Sequence, residues 1–181
     1  LRNGEFINPK GLDSISINDN ILNVSELNAA IETSDVTLSL SAGATINGGD
    51  ESAFATLITN GENGQLLVTD QNLTVESGEI SVGTANDLDE ITDGIVTASI
   101  ATDATVDSLA TLTGTNAYTI KIADVDATGS EASELIAIDD ATSVTVDVSA
   151  ITDIEGTYGE ITALYGSSGA VSYTHLRAHE T

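Results

Sequence analysis

The residues with the clearest chemical potential lie between a predicted strand and a predicted helix. Asp124, Asp126 and Thr128 alternate along Asp124-Val-Asp126-Ala-Thr128-Gly129, which matches the first half of the EF-hand pattern D-x-D-x-[DNST]-G. Oxygens at alternate positions converge on a calcium ion, and the glycine permits the sharp turn. The twelfth position of that pattern requires a bidentate carboxylate, and here it is Leu135. Glu131, with Glu134 nearby, would have to complete the shell in another geometry. Asp124, Asp126, Thr128 and Glu131 are therefore the candidate calcium ligands. The competing and preferred reading is a solvated turn, because half-motifs of this kind are common.

Other acidic groups are weaker candidates. Asp50-Glu51, Asp87-x-Asp89-Glu90 and Asp139-Asp140 fall in predicted turns, where solvation comes first and weak divalent binding second. Asn47-Gly48-Gly49-Asp50 contains part of the calcium nonapeptide G-G-x-G-x-D, once and out of pattern. His175 and His179 would share a helix face, as zinc ligands can. Leu176 follows His175, so the glutamate of H-E-x-x-H is lacking. Asn23-Val-Ser25 and Asn72-Leu-Thr74 are formal glycosylation sequons.

Catalysis has little to draw on. Outside residues 171–181 there is no histidine or cysteine, and the cations are Arg2, Lys10 and Lys121. No G-x-S-x-G elbow, Ser-x-x-Lys or phosphate loop is present. Paired carboxylates can hydrolyse glycosides, but sugar clefts also use stacking rings, and here Trp is absent. A polysaccharide lyase would want Arg or Lys beside its acidic sugar. An enzyme is not expected, and a carbohydrate-active β-helix enzyme is the remotest of the readings.

Charge narrows the partners. Twenty-nine acidic against four basic residues give a formal charge of −25 over 181 residues. Nucleic acid is excluded, since phosphates are neutralised by Lys and Arg. Anionic membrane surfaces are disfavoured for the same reason, and no segment has the roughly 20 apolar residues of a membrane span. The absence of cysteine removes disulfides and thiolate metal sites. Apolar residues make up 40% of the chain, with only two Phe, four Tyr and no Trp or Met. Thin layers of aliphatic side chains suit that composition. The chain begins at Leu1 without an initiator, which points to a piece of something longer.

The elements that must carry these residues are read from periodicity. In Ala132–Tyr165, Leu135 and Ile138 are spaced for a short helix, and Val144, Val146 and Val148 alternate as in a strand. Ser25–Ala42 aligns without gaps on Ser133–Ala150, with identical Ser, Glu, Leu, Ala, Val, Thr, Ser and Ala at eight places. Weaker copies are anchored on Leu88 and Leu109. The expected fold is a repeat solenoid, either a β-solenoid or an α/β solenoid of short helical turns and short parallel strands. Its coils would be roughly 21–27 residues long. Residues 1–22 read as a lead-in from a preceding region and 23–170 as one solenoid of degenerate repeats. Within it, 60–84 is β-rich and irregular, with the turn signal Asn60-Gly-Glu-Asn-Gly64.

Two resemblances complete the reading. Residues 171–181, VSYTHLRAHET, resemble a translated sequencing-adaptor read-through that recurs at the ends of unrelated proteins. The resemblance marks them as a non-native tail, and they are set aside. Leu109–Ile120, Ala132–Thr157 and Glu160–Gly169 resemble repeats of giant, acidic surface proteins of marine cyanobacteria that carry haemolysin-type calcium-binding regions. That resemblance implies an extracellular or cell-surface location and a role in adhesion or as a spacer. The partners it implies are neighbouring repeats and cell-surface or extracellular polymers. A calcium-responsive binding module is the alternative.

Overall fold

The computed structural model describes residues 13–34, 36–123 and 130–167. Their elements run in the order β1 (Ser14–Ile17), β2 (Ile21–Asn23), α1 (Val24–Glu32), β3 (Thr37–Leu40), β4 (Thr45–Asn47) and α2 (Glu51–Glu62). There follow β5 (Leu66–Leu67), β6 (Asn72–Thr74), α3 (Val82–Ile91), β7 (Val96–Ser99), α4 (Val106–Leu109) and β8 (Ala117–Thr119). The last are β9 (Ser130–Glu131), α5 (Ala132–Asp140), β10 (Ile154–Glu155) and α6 (Tyr158–Gly166). Strands order as β1-β3-β5, as β2-β4-β6-β7-β8, and as the pair β10-β9. Each registered pair is parallel. Parallel strands need long crossovers, usually helical, and α2 supplies one between β4 and β6.

The chain divides into two compact units, one reaching to Gly78 and including Asp87–Thr97, the other comprising Glu79–Asn86 and the chain from Ala98 onward. In the first, Leu38 stands opposite Leu66, Ile46 opposite Leu73, and Leu73 opposite Val96. All five side chains are at most 1% exposed. Helix α1 lies against α2, and Phe54 and Leu57 of α2 are fully buried. In the second unit, α5 packs against α4 and α6, over a core that includes Leu109, Tyr118, Leu135, Ile138 and Val146. Burying one such aliphatic side chain stabilises by about 1.5–3 kcal/mol, so a core poor in rings is built from many small contributions.

The helix ends follow from local chemistry. Asn23 caps α1 by accepting from the Ser25 and Glu26 amides, and Asp50 caps α2 through the Ala53 amide at 3.1 Å. Thr157 and Glu160 form a reciprocal capping box on α6, an arrangement that satisfies two otherwise orphaned donors. Two glycines are fixed by close approach. A Cβ on Gly94 would stand 2.3 Å from the Gln71 carbonyl oxygen, and one on Gly49 would meet Val24 at 2.5 Å.

The expected repeat solenoid, in either its β or its α/β form, is overturned. The fold is a mixed α/β structure with parallel sheets of three and five strands and six helices among the described residues. The sequence correspondence between 25–42 and 133–150 holds for the helices, since α1 and α5 occupy matching positions. It does not hold beyond them. Thr37–Leu40 is a strand of the three-stranded sheet, whereas the matching stretch 145–148 forms no named strand and has bridge residues at Val146 and Asp147, the latter opposite Lys121. All the helices but the four-residue α4 are also longer than the short turns expected of a coil. The longest, α2, spans 12 residues in a stretch whose Thr56, Thr59 and Gly61 are poor helix formers. Burial of Phe54, Leu57 and Ile58 overrides that propensity. The span 60–84 contains the last turn of α2, β5, β6 and the start of α3.

Candidate functional site

Asp124, Asp126 and Thr128 lie outside the described residues, as do His175 and His179. Of the four candidate calcium ligands, only Glu131 is described. It is exposed at the end of β9 and occupies the N-cap position of α5 without making a side-chain capping bond. β9 pairs with β10, Glu131 facing Glu155. Gly156 then passes so close to Ala132 that a Cβ there would stand 2.8 Å from the alanine methyl. Backbone pairing and this contact fix the first turn of α5.

One turn further on, Glu134 is held above the usual carboxylate range, first by burial and then by the Asp107 carboxyl beside it on α4. Glu131, Glu134 and Asp107 thus concentrate negative charge where α4 and α5 meet. Among the described residues no group of three or more His, Cys, Asp or Glu side chains is arranged to hold a metal ion.

The remaining acidic clusters are not brought together. Asp50 is spent as the cap of α2. Asp87 and Glu90 stand exposed on α3. Asp139 and Asp140 end α5, in a last turn without a basic residue. Asp139 is half-buried, and its Oδ1 is the one buried side-chain oxygen or nitrogen without a hydrogen-bond partner among the described residues. Burial raises its pKa, the Ser167 hydroxyl opposes that rise, and Asp140 adds to it. A carboxyl whose pKa is raised by folding strengthens the fold while protonated, and this contribution is lost as pH rises through the raised value. Asp139→Asn should therefore melt higher than the parent at neutral pH, by about 0.3–1 kcal/mol, the scale of a charge at a helix C-terminus. Below the ordinary carboxylate range the two melting curves should converge. Asp147 and Glu160 act with the opposite sign. Hydrogen bonds from Ser149 and Thr157 respectively lower their pKa values, so their contribution is lost as pH falls.

The polar residues that matter most to the architecture carried no motif. Among the described residues seven polar side chains are buried, namely Asn28, Ser34, Asn60, Gln71, Thr92, Asn116 and Thr142. Asn28 donates to the Ala53 carbonyl at 2.8 Å and accepts from Asn60 at 3.0 Å, which ties α1 to α2. Gln71 donates to the Ser41 carbonyl and accepts the Thr69 amide. Thr92 donates to the Gln71 carbonyl at 2.7 Å while accepting the Gly94 amide. In the second unit Thr142 does the same work, donating to the Tyr118 carbonyl at 2.7 Å and accepting the Val144 amide. Both threonines stand two residues before the amide they accept. A threonine just ahead of a β-branched run, as in Thr92-Asp-Gly-Ile-Val and Thr142-Ser-Val-Thr-Val, is the available sequence signal. The sequon asparagines are likewise engaged, Asn23 as the α1 cap and Asn72 as acceptor of the Ile95 amide.

Among the described residues no helix is long and apolar enough to cross a membrane. Comparison of the chain with protein-family models, with curated proteins and with solved structures found no match.

Proposed function

We propose that this chain is a structural and interaction segment of a longer, secreted or surface-displayed bacterial protein, acting as an acidic spacer or cell-surface layer rather than as an enzyme. The observation that carries this reading is where the buried polar groups are spent. Each of the seven satisfies a backbone group or another buried amide of its own unit. Charge supports it, since a formal −25 keeps neighbouring copies apart and hydrated, and is easiest to maintain in salty water. The resemblance of 109–169 to giant surface proteins points the same way. Antibodies raised against the purified protein should label intact, unpermeabilised cells of the source organism. Labelling that appears only after permeabilisation would contradict a surface role.

A second reading, a calcium-responsive binding module, is favoured by Glu131, whose carboxylate is not used as a cap and stands just after Asp124–Gly129. On that reading millimolar calcium, but not magnesium, raises the melting temperature, and Asp124→Ala abolishes the rise. No calcium effect on the parent protein would remove this reading and leave the first untouched.

A further inference from the structure

The first unit contains a groove that neither reading uses. Its volume is about 410 Å³, within the size range of pockets that hold small ligands or a few side chains. Ile58, Leu67 and Ile91 give it an apolar floor, and Glu62, Asp87 and Glu90 stand around it. Three features are unusual together. Leu67 is 52% exposed, although most large aliphatic side chains of the unit are buried. β5, which carries Leu67, is the end strand of its sheet, with no strand beyond it among the described residues. The three carboxylates make no hydrogen bond or ion pair among the described residues. The single described cation, Lys121, belongs to the other unit.

We propose that this groove docks an extended, basic segment of a partner protein. The segment lies along the free edge of β5, as peptides do when they extend a sheet. It sets an apolar side chain against Leu67 and Ile91 and answers Glu62, Asp87 and Glu90 with lysine or arginine. The acids alone would attract any cation. The open strand edge and the exposed leucine select an extended chain with alternating apolar and basic side chains, because successive residues of a strand face opposite ways. Complementary charge of this kind speeds encounter and sets specificity, and the apolar contact supplies the area-dependent part of the affinity.

The test uses the full chain and a synthetic peptide alternating lysine and valine, titrated by calorimetry at moderate salt. Saturable binding at one peptide per chain is expected. Leu67→Asp should weaken it about tenfold, the loss of roughly one buried apolar contact, even though the variant is more negative. Glu62→Gln with Glu90→Gln should weaken it by a similar factor, whereas Asp19→Asn with Glu32→Gln, which removes the same charge elsewhere, should change it less than about twofold. Leu67→Ser replaces Leu67→Asp should the latter not fold. Binding that is unchanged or tighter in Leu67→Asp, or equally weakened by the two double variants, would overturn the proposal in favour of diffuse attraction. So would spermidine binding with the same dependence on Leu67, Glu62 and Glu90, since it has neither a backbone nor apolar side chains to offer.

Discussion

Val146→Asp is expected to abolish the cooperative unfolding of the second unit. Val146 is 1% exposed and belongs to a core of apolar side chains, among them Tyr118, Ile120 and Val148. A charge placed there must either desolvate without a partner or take up a proton, and the effective cost is on the order of 4 kcal/mol or more. Domains of this size have about 5–15 kcal/mol of stability in total, so the variant should melt early and broadly or not fold. Thr152→Asp adds the same charge at an exposed position a few residues away and should melt within about 0.5 kcal/mol of the parent. Circular dichroism melts of the three proteins measure the difference. Similar curves for Val146→Asp and the parent would show that Val146 is not a core residue.

Gly94→Ala is the second large effect, and it acts in the first unit. The added methyl would lie 2.3 Å from the Gln71 carbonyl oxygen and 2.6 Å from its carbon. The obstacle is backbone, not the end of a flexible side chain, so β6 and the segment before β7 must move apart. The same movement stretches the Thr92 bond to the Gln71 carbonyl and the Gly94 amide bond to Thr92. A loss of about 3 kcal/mol is expected, the upper range for overpacking. Gly61→Ala provides the contrast. Gly61 lies in α2 with nothing within 4 Å of its would-be Cβ, and replacing a helical glycine by alanine stabilises by about 0.5–1 kcal/mol. Chemical denaturation of both variants should show opposite shifts of the midpoint. A stable Gly94→Ala would mean that the approach of Gly94 to Gln71 is not obligatory.

Several parts of this structure were legible in the sequence. Leu27, Leu88, Leu109 and Leu135, read as recurring anchors, are each 4% exposed or less and each lies in a helix. Within 60–84, read as β-rich, Leu66 and Leu73 lie in parallel strands, whereas 14–17 and 21–22, read as part of a lead-in, lie in β1 and β2. The architecture was not legible, because sequence similarity between 25–42 and 133–150 constrains a helix and a strand's hydrophobic face but not which sheet the strand joins. Strand pairing is decided by distant partners, and Leu38 pairs with Leu66 in a strand whereas Val146 is a bridge residue outside any named strand. Helix α2 was hidden by its threonines and glycine, and the signal at Asn60–Gly64 marks the end of that helix, with Gly64 at φ 71°, instead of a hairpin. The polar ties through Gln71, Thr92 and Thr142 were missed since burial of a polar side chain depends on a carbonyl more than twenty residues away. The candidate calcium ligands Asp124, Asp126 and Thr128 fall outside the described residues, so of that site the fold positions Glu131 alone.

The acids fit the same account. With one described cation, their stabilising roles are mostly as hydrogen-bond acceptors: caps at Asp50 and Glu160, the Ser149 amide at Asp147, and more distant ties from Asn47 to Glu76 and from the Thr102 amide to Glu79. Elsewhere they repel one another, most directly at Asp139-Asp140 and at Glu134 with Asp107.

A scaffold whose seven buried polar residues, among those described, are each bonded within their own unit should not need an ion to fold. The decisive measurement is a thermal melt of the intact protein in moderate salt with a chelator in excess, followed by circular dichroism and repeated after adding millimolar calcium. The account predicts a cooperative transition in the chelator, from a mixed helix-and-strand spectrum. A chain that is unfolded in chelator and folds only when calcium is added would contradict it.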